Sequence, residues 1–174
     1  MRKKNILITG PPGIGKTTLV MKISRTLADR RPVGFYTEEI RERGIRKGFS
    51  LVDFAGRRGI LSHIDIKGRY SVGRYGVDVA TFDDFLKRIP FFSPDSHVIM
   101  IDEIGKMECI SSEFRKLLTA ILDSEKPLVA TIGEKGEGLI AGTKKRDDVE
   151  IFAMTHANRD SLSSIIAERV HSLL

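Results

Sequence analysis

Gly10-Pro11-Pro12-Gly13-Ile14-Gly15-Lys16-Thr17-Thr18 stands between an apolar run, Ile6-Leu7-Ile8, and a segment from Leu19 to Ala28 whose apolar residues recur at helical spacing. That order predicts a strand, a glycine loop and a helix. The spacing Gly10-x-x-x-x-Gly15-Lys16-Thr17 is that of a P-loop, or Walker A, motif. Glycines at 10, 13 and 15 are expected to allow positive φ and to let backbone N–H groups close around phosphate oxygens without a Cβ in the way. The helix then offers unpaired N–H groups and the favourable end of its dipole to negative charge. Lys16 supplies a point charge for the β and γ phosphates, and the Thr17 hydroxyl a ligand for Mg²⁺. Pro11 and Pro12 stiffen the loop, and Ile14 and Thr18 complete a nucleotide-binding stretch over residues 10–18. At ordinary residue frequencies a chance match arises on the order of once in a hundred chains or less.

The chain has 174 residues, 41% apolar and 30% charged. This is enough for one domain with its own core and no staples. Met1-Arg-Lys-Lys4 looks like the start of a signal peptide, but the apolar run after it is too short, so neither a signal peptide nor a membrane span is expected. Cys109 is the only cysteine and the four histidines are scattered, so a cytoplasmic protein without disulfide or structural metal is expected, as a monomer. The net charge of +6 is local: residues 40–76 carry nine Lys or Arg against three acids, and the remainder is balanced.

Val33-Gly34-Phe35-Tyr36-Thr37 reads as the second strand. In the basic insert, about residues 40–76, short apolar pulses separated by Gly44, Gly48, Gly56 and Gly59 predict an antiparallel meander, then an irregular loop from Lys67 to Gly76. A helix is expected over Ala80 to Lys87 and another over Ser112 to Leu122, capped by Ser111 or Ser112. Val98–Ile101 and Pro127–Ile132 read as strands buried on both faces of a parallel sheet. A loop from Gly133 to Arg146, a strand over Val149 to Met154 and a helix over Asn158 to Leu174 complete the chain. Strand and helix alternating around one β-rich insert give a three-layer α/β domain with a mainly parallel sheet.

Asp102 and Glu103 follow the Val98–Ile101 run directly. A P-loop enzyme needs an acidic metal contact from a neighbouring strand, and Asp102 supplies it beside Thr17. Glu103 projects differently and is placed to polarise a water for in-line attack, which makes Lys16 and Glu103 the candidate catalytic pair.

Four segments together resemble a small nucleoside-triphosphatase family found in thermophiles, which includes the human cancer-related nucleoside-triphosphatase. They are Gly10-Pro-Pro-Gly-Ile-Gly-Lys-Thr17, Gly34-Phe-Tyr-Thr-Glu-Glu39 with Gly48-Phe49, Asp102-Glu-Ile-Gly-Lys-Met-Glu108, and Asn158-Arg159-Asp160. The resemblance implies an adenylate-kinase-like fold and slow, Mg²⁺-dependent hydrolysis of ATP, GTP, CTP, UTP and TTP. It does not say which of Lys135, Lys144, Lys145 and Arg146 compensates charge at the γ-phosphate.

Arg159 is a candidate to stack on a nucleobase of any identity, against the plainer reading of a solvated side chain beside an Asn158 helix cap. The insert could touch nucleic acid, although exposed arginines on hairpins need no partner, so nucleic acid is the less favoured ligand. Besides hydrolysis, two other activities suit the same motifs: a kinase acting on a nucleoside, nucleotide or RNA end, and an ATP-gated nucleic-acid-binding module.

Overall fold

In the computed structural model, which describes residues 2–174, the Ile6-Leu7-Ile8 run forms β1 (Asn5–Thr9) and the segment after the glycine loop forms α1 (Lys16–Thr26). There follow β2 (Val33–Glu42), β3 (Ile45–Asp53), β4 (Arg58–His63), β5 (Ser71–Val72), β6 (Tyr75–Val77) and α2 (Val79–Lys87). The second half adds β7 (Ile99–Ile104), α3 (Ser112–Asp123), β8 (Leu128–Ile132), α4 (Leu139–Lys144), β9 (Val149–Ala153) and α5 (Leu162–His171). All nine strands join one sheet, in the order β5-β6-β4-β3-β2-β7-β8-β1-β9. From β2 to β9 the pairing is parallel, and from β2 outward through the insert it is antiparallel.

The alternation of side chains along each strand makes the layers. Leu7 shares one face with Phe35, Ile99, Ile101, Leu128 and Ala130, under Phe82 and Phe85 of α2 and Phe114 and Leu118 of α3. Ile6 and Ile8 share the other with Met100 and Val129, under Leu19, Val20 and Ile23 of α1 and Ile166 and Val170 of α5. Helices on both faces are what allow the parallel strands to be apolar throughout. Phe35 fastens β2 to the first of these layers, with edge-to-face contacts to Phe82 at 5.7 Å, Phe85 at 6.1 Å and Phe114 at 6.3 Å. Each such pair adds about 0.5–1.5 kcal/mol beyond burial. Ser111 caps α3, accepting from the Phe114 N–H at 2.9 Å.

The fold is the three-layer α/β arrangement expected, with several local corrections. β2 does not stop at Thr37: it pairs with β7 over Val33–Phe35 and with β3 from Phe35 to Glu42, so the meander grows out of a core strand. The expected irregular loop at 67–76 contains β5 and β6, two and three residues long, too short to show an alternating pattern. β7 runs through Asp102 and Glu103 to the buried Ile104, so the acids lie within the strand. The 133–146 loop contains α4, anchored by buried Ile140 and Thr143, whose short span and Gly142 hid it. α5 starts at Leu162 because Asn158 is spent on the preceding turn: its Oδ1 accepts from Thr155 N–H and its Nδ2 donates to the Ala153 carbonyl, both at 2.8 Å. Among the described residues no helix is long and apolar enough to cross a membrane.

Candidate active site

The C-terminal ends of β1, β7 and β2 bring the site together, as the ends of parallel strands do in open α/β sheets. Gly15, with φ of 108°, forms the left-handed N-cap of α1, and Gly13 has φ of 78°. Both positions favour glycine. Gly10 does not share this reason. A Cβ there would lie 3.0 Å from the Met154 carbonyl oxygen, so it serves the close passage of the loop under the end of β9. The Ile14 side chain is buried in the core, leaving only its backbone at the loop, where its N–H donates to the Pro11 carbonyl at 3.3 Å. Lys16 Nζ donates to the carbonyls of Gly10 at 2.7 Å and Pro11 at 3.2 Å. Pro12, Gly13, Gly15, Lys16, Thr17 and Thr18 line one end of a cavity of about 670 Å³, whereas Gly10, Pro11 and Ile14 stand behind it.

Asp102 is 3% exposed and sits between two hydroxyls: Thr17 Oγ1 donates to its Oδ2 at 2.6 Å and Thr131 Oγ1 to its Oδ1 at 2.5 Å. Sequence reasoning missed Thr131. Its signal was a lone hydroxyl in the otherwise apolar strand Leu128–Ile132. Burial pushes the Asp102 carboxyl above its ordinary range, opposed by hydrogen bonds from Thr131 and Thr17 and by the charge of Lys16. Glu103 is raised by burial and then by Asp102, with Lys16 again opposing.

Glu108, which had no assigned role, is the other missed residue. The turn after β7 folds back, with Cys109 N–H donating to the Gly105 carbonyl at 3.0 Å, and carries Glu108 into the same cavity. The Glu103 and Glu108 carboxyls converge on Gly105: a Cβ built there would lie 2.6 Å from Glu103 Oε1 and 2.8 Å from Glu108 Oε2. Burial, with the neighbouring Glu103 charge, pushes Glu108 up to about 8, so it is protonated at neutral pH. The same burial pushes the Cys109 thiol up to about 11, which leaves it unreactive.

The basic loop residues separate in space. Lys144 Nζ donates to the carbonyls of Gly133 and Glu134, tying its own loop together. Arg146 pairs with Asp123 and Asp148, far from the cavity. Lys145 is exposed and does not line the cavity, whereas Lys135 does, together with Lys106. Arg159 is exposed on the turn before α5, near Asp160, and lies outside the cavity lining. The insert, by contrast, supplies one wall: Arg46, Phe49, Leu61 and Val72. Much of its charge is internally paired, Arg41 and Arg46 with Glu39, Arg57 with Asp53 and Arg58 with Glu38.

The residues fit Mg²⁺. Thr17 and Asp102 present two hard oxygens at contact distance, the small protein share that this ion takes when phosphates and water complete its shell. Asp102 and Glu103 side by side under burial, with Lys16 opposing, form a negative field that a divalent cation relieves.

A family model described as NTPase matches residues 5–167. The chain is 44% identical over 158 residues to the nucleoside-triphosphatase THEP1 of Thermotoga sp. (strain RQ2), covering 90% of each chain. It is 38% identical to the cancer-related nucleoside-triphosphatase of Homo sapiens, covering 97% of each. The crystal structure of THEP1 from Aquifex aeolicus superposes with a TM-score of 0.83 at 34% identity, over 95% of this chain and 98% of that one. With the family model matched over residues 5–167 and these relatives matched over nine-tenths or more of their length, the chain belongs to the NTPase family of nucleoside-triphosphatases.

Proposed function

We propose that this protein hydrolyses nucleoside 5′-triphosphates to the diphosphate and phosphate, with Mg²⁺ and with little preference among bases. One observation carries the reading. Thr17 and Asp102, 85 residues apart in sequence, meet at 2.6 Å at the head of α1, with Glu103 next to them.

The N–H groups of the loop and of the first turn of α1 hold the phosphates. Lys16 exchanges its Gly10 and Pro11 carbonyl partners for β and γ phosphate oxygens. Thr17 and Asp102 would hold Mg²⁺, which would neutralise charge developing on the phosphates. Thr131 fixes the Asp102 carboxylate so that one oxygen faces the cavity. Glu103 orients a water in line with the γ-phosphate and takes its proton, a role worth about 10²- to 10⁴-fold. Lys135, which lines the cavity where Lys144, Lys145 and Arg146 do not, supplies the compensating cation at the γ-phosphate. Arg159 stacks on the base from the turn beside the P-loop, a contact that any base satisfies.

The test is phosphate release from ATP, GTP, CTP, UTP and TTP, with Mg²⁺ and with EDTA. We expect release from all five and none in EDTA. A preference above about a hundredfold, some 2.7 kcal/mol, refutes the broad base tolerance, and undiminished release in EDTA refutes the metal.

A further inference from the structure

The cavity is more than a phosphate site, and its two ends differ in chemistry. Its near end is the P-loop; its far end is Phe49, Leu61, Val72, Met107 and Ile140, with Arg46 beside them. The loop fixes the direction of a bound triphosphate, because Lys16 and Thr17 take the β and γ groups while the α end leaves along the loop. The Thr17 to Asp102 contact then sets the γ end beside β7. Glu103, Glu108 and the apolar wall therefore stand beyond the γ-phosphate, on the side from which an in-line attacker approaches. An attacking water needs no such wall.

We propose that this far end is an acceptor site for a nucleoside, whose hydroxyl takes the γ-phosphoryl group in place of water. The proposal rests on the triphosphate site described above. Three observations choose the occupant. Phe49 offers an aromatic ring within an apolar wall, suited to a flat base, with the Arg46 guanidinium 5.3 Å from its ring centre. Glu103 and Glu108 converge around Gly105, where two carboxyl groups offer hydrogen-bond partners to sugar hydroxyls and the Glu103 charge disfavours a second phosphate. Arg46 shares Glu39 with Arg41, at 2.9 Å, and donates to the Tyr75 hydroxyl at 3.0 Å, so its N–H groups are already engaged inside the insert and are not free to grip an anion. A polynucleotide is a poorer match, because Arg41, Arg57 and Arg58 of the insert are likewise committed to carboxylates.

In the transfer, the nucleoside hydroxyl oxygen forms a bond to Pγ as the bond from Pγ to the bridging β–γ oxygen breaks. The electron pair leaves with the nucleoside diphosphate, and the hydroxyl proton passes to Glu103. The products are a nucleoside monophosphate and a nucleoside diphosphate. With no nucleoside bound, water takes the same line and hydrolysis results.

The intact protein is given [γ-³²P]ATP and Mg²⁺ in separate arms with adenosine, guanosine, cytidine, uridine or thymidine, with their monophosphates, or with a 5′-hydroxyl oligonucleotide. Products are resolved by thin-layer chromatography. We expect labelled monophosphate from at least one nucleoside, formed at least tenfold faster than free phosphate. Calorimetry should show that nucleoside binding to protein already saturated with ADP and Mg²⁺. Phe49→Ala should weaken this binding at least tenfold, and Phe49→Leu, which keeps the wall filled, by less. Release of phosphate with no labelled nucleoside product overturns the acceptor site and leaves the hydrolase reading standing. Label on monophosphates or on the oligonucleotide alone overturns the occupant, and displacement of ADP by the nucleoside overturns the second site. If neither phosphate nor labelled product forms, the hydrolase reading fails as well.

Discussion

Gly105→Ala isolates the carboxylate pair without touching the P-loop. Gly105 is not at positive φ, so the backbone accepts alanine, and the whole effect comes from the new methyl group. That methyl would sit 2.6 Å from Glu103 Oε1 and 2.8 Å from Glu108 Oε2, whereas ordinary contact begins at 3.4 Å. The two oxygens must retreat by about 0.6–0.8 Å. Both are the far ends of flexible side chains, so the fold gives way cheaply, and a cost of about 1 kcal/mol would lower Tm by about 2–4 °C. Catalysis has no such slack, because a misplacement approaching 1 Å costs on the order of 10²-fold. We therefore expect kcat to fall by about 10- to 100-fold, with nucleotide affinity near that of the wild type. Single-turnover phosphate release, calorimetric Tm and binding of a non-hydrolysable triphosphate measure the three quantities. A kcat within twofold of wild type would refute the placement of Glu103 at the reacting water.

Lys16→Ala removes the loop's only side-chain charge; turnover should vanish and triphosphate binding weaken, and wild-type rates would sink the phosphate-loop assignment. Glu103→Gln should bind Mg²⁺ and triphosphate normally while kcat drops by about 10²-fold or more. Asp102→Asn should lose Mg²⁺ affinity along with rate, and the same phenotype in both variants would contradict the division of labour between them. Glu108 titrates at about 8 in the folded protein against 4.5 ordinarily, so the native state binds the extra proton across that interval. The stability this contributes is complete below the lower value and is lost as pH rises through the upper one. Thermal melts of the metal-free wild type should fall from pH 5 to 8.5, and those of Glu108→Gln should fall less; parallel curves would show that Glu108 ionises freely.

The parts of this molecule that were legible from sequence are those where one local rule acts alone. The P-loop declares itself by glycine spacing, Val98–Ile101 by an unbroken apolar run, and Leu128–Ile132 by a run broken only at Thr131, which only two covered faces explain. The cap of α3 was readable as Ser111 or Ser112, because capping acts within one turn, and the structure selects Ser111. Contacts made across the sheet left no such trace. Thr131 meets Asp102 from a neighbouring strand, and Glu108 reaches the site only because the chain doubles back at Gly105. Lys144 and Arg146 looked equivalent to Lys135 in a charged loop, and a short helix turned one toward its own carbonyls and left the other with Asp148. The insert misled most. Its charge drew notice toward an outside partner, while its uncharged Phe49, Leu61 and Val72 were the residues that enter the cavity.

β2 serves two ladders at once: Val33–Phe35 lies along β7, and the next residues to Glu42 lie against β3. Phe49 is registered opposite Glu39, and Arg46 opposite Arg41, so the wall of the cavity is bolted to an extension of the central sheet. A wall mounted in this way is a cantilever and has no hinge. Its amides should exchange with deuterium at rates tied to the central strands. The same mounting frees the wall's inward side chains to be exchanged over generations, changing what the cavity receives while the phosphate chemistry, seated on β1 and β7, stays as it is.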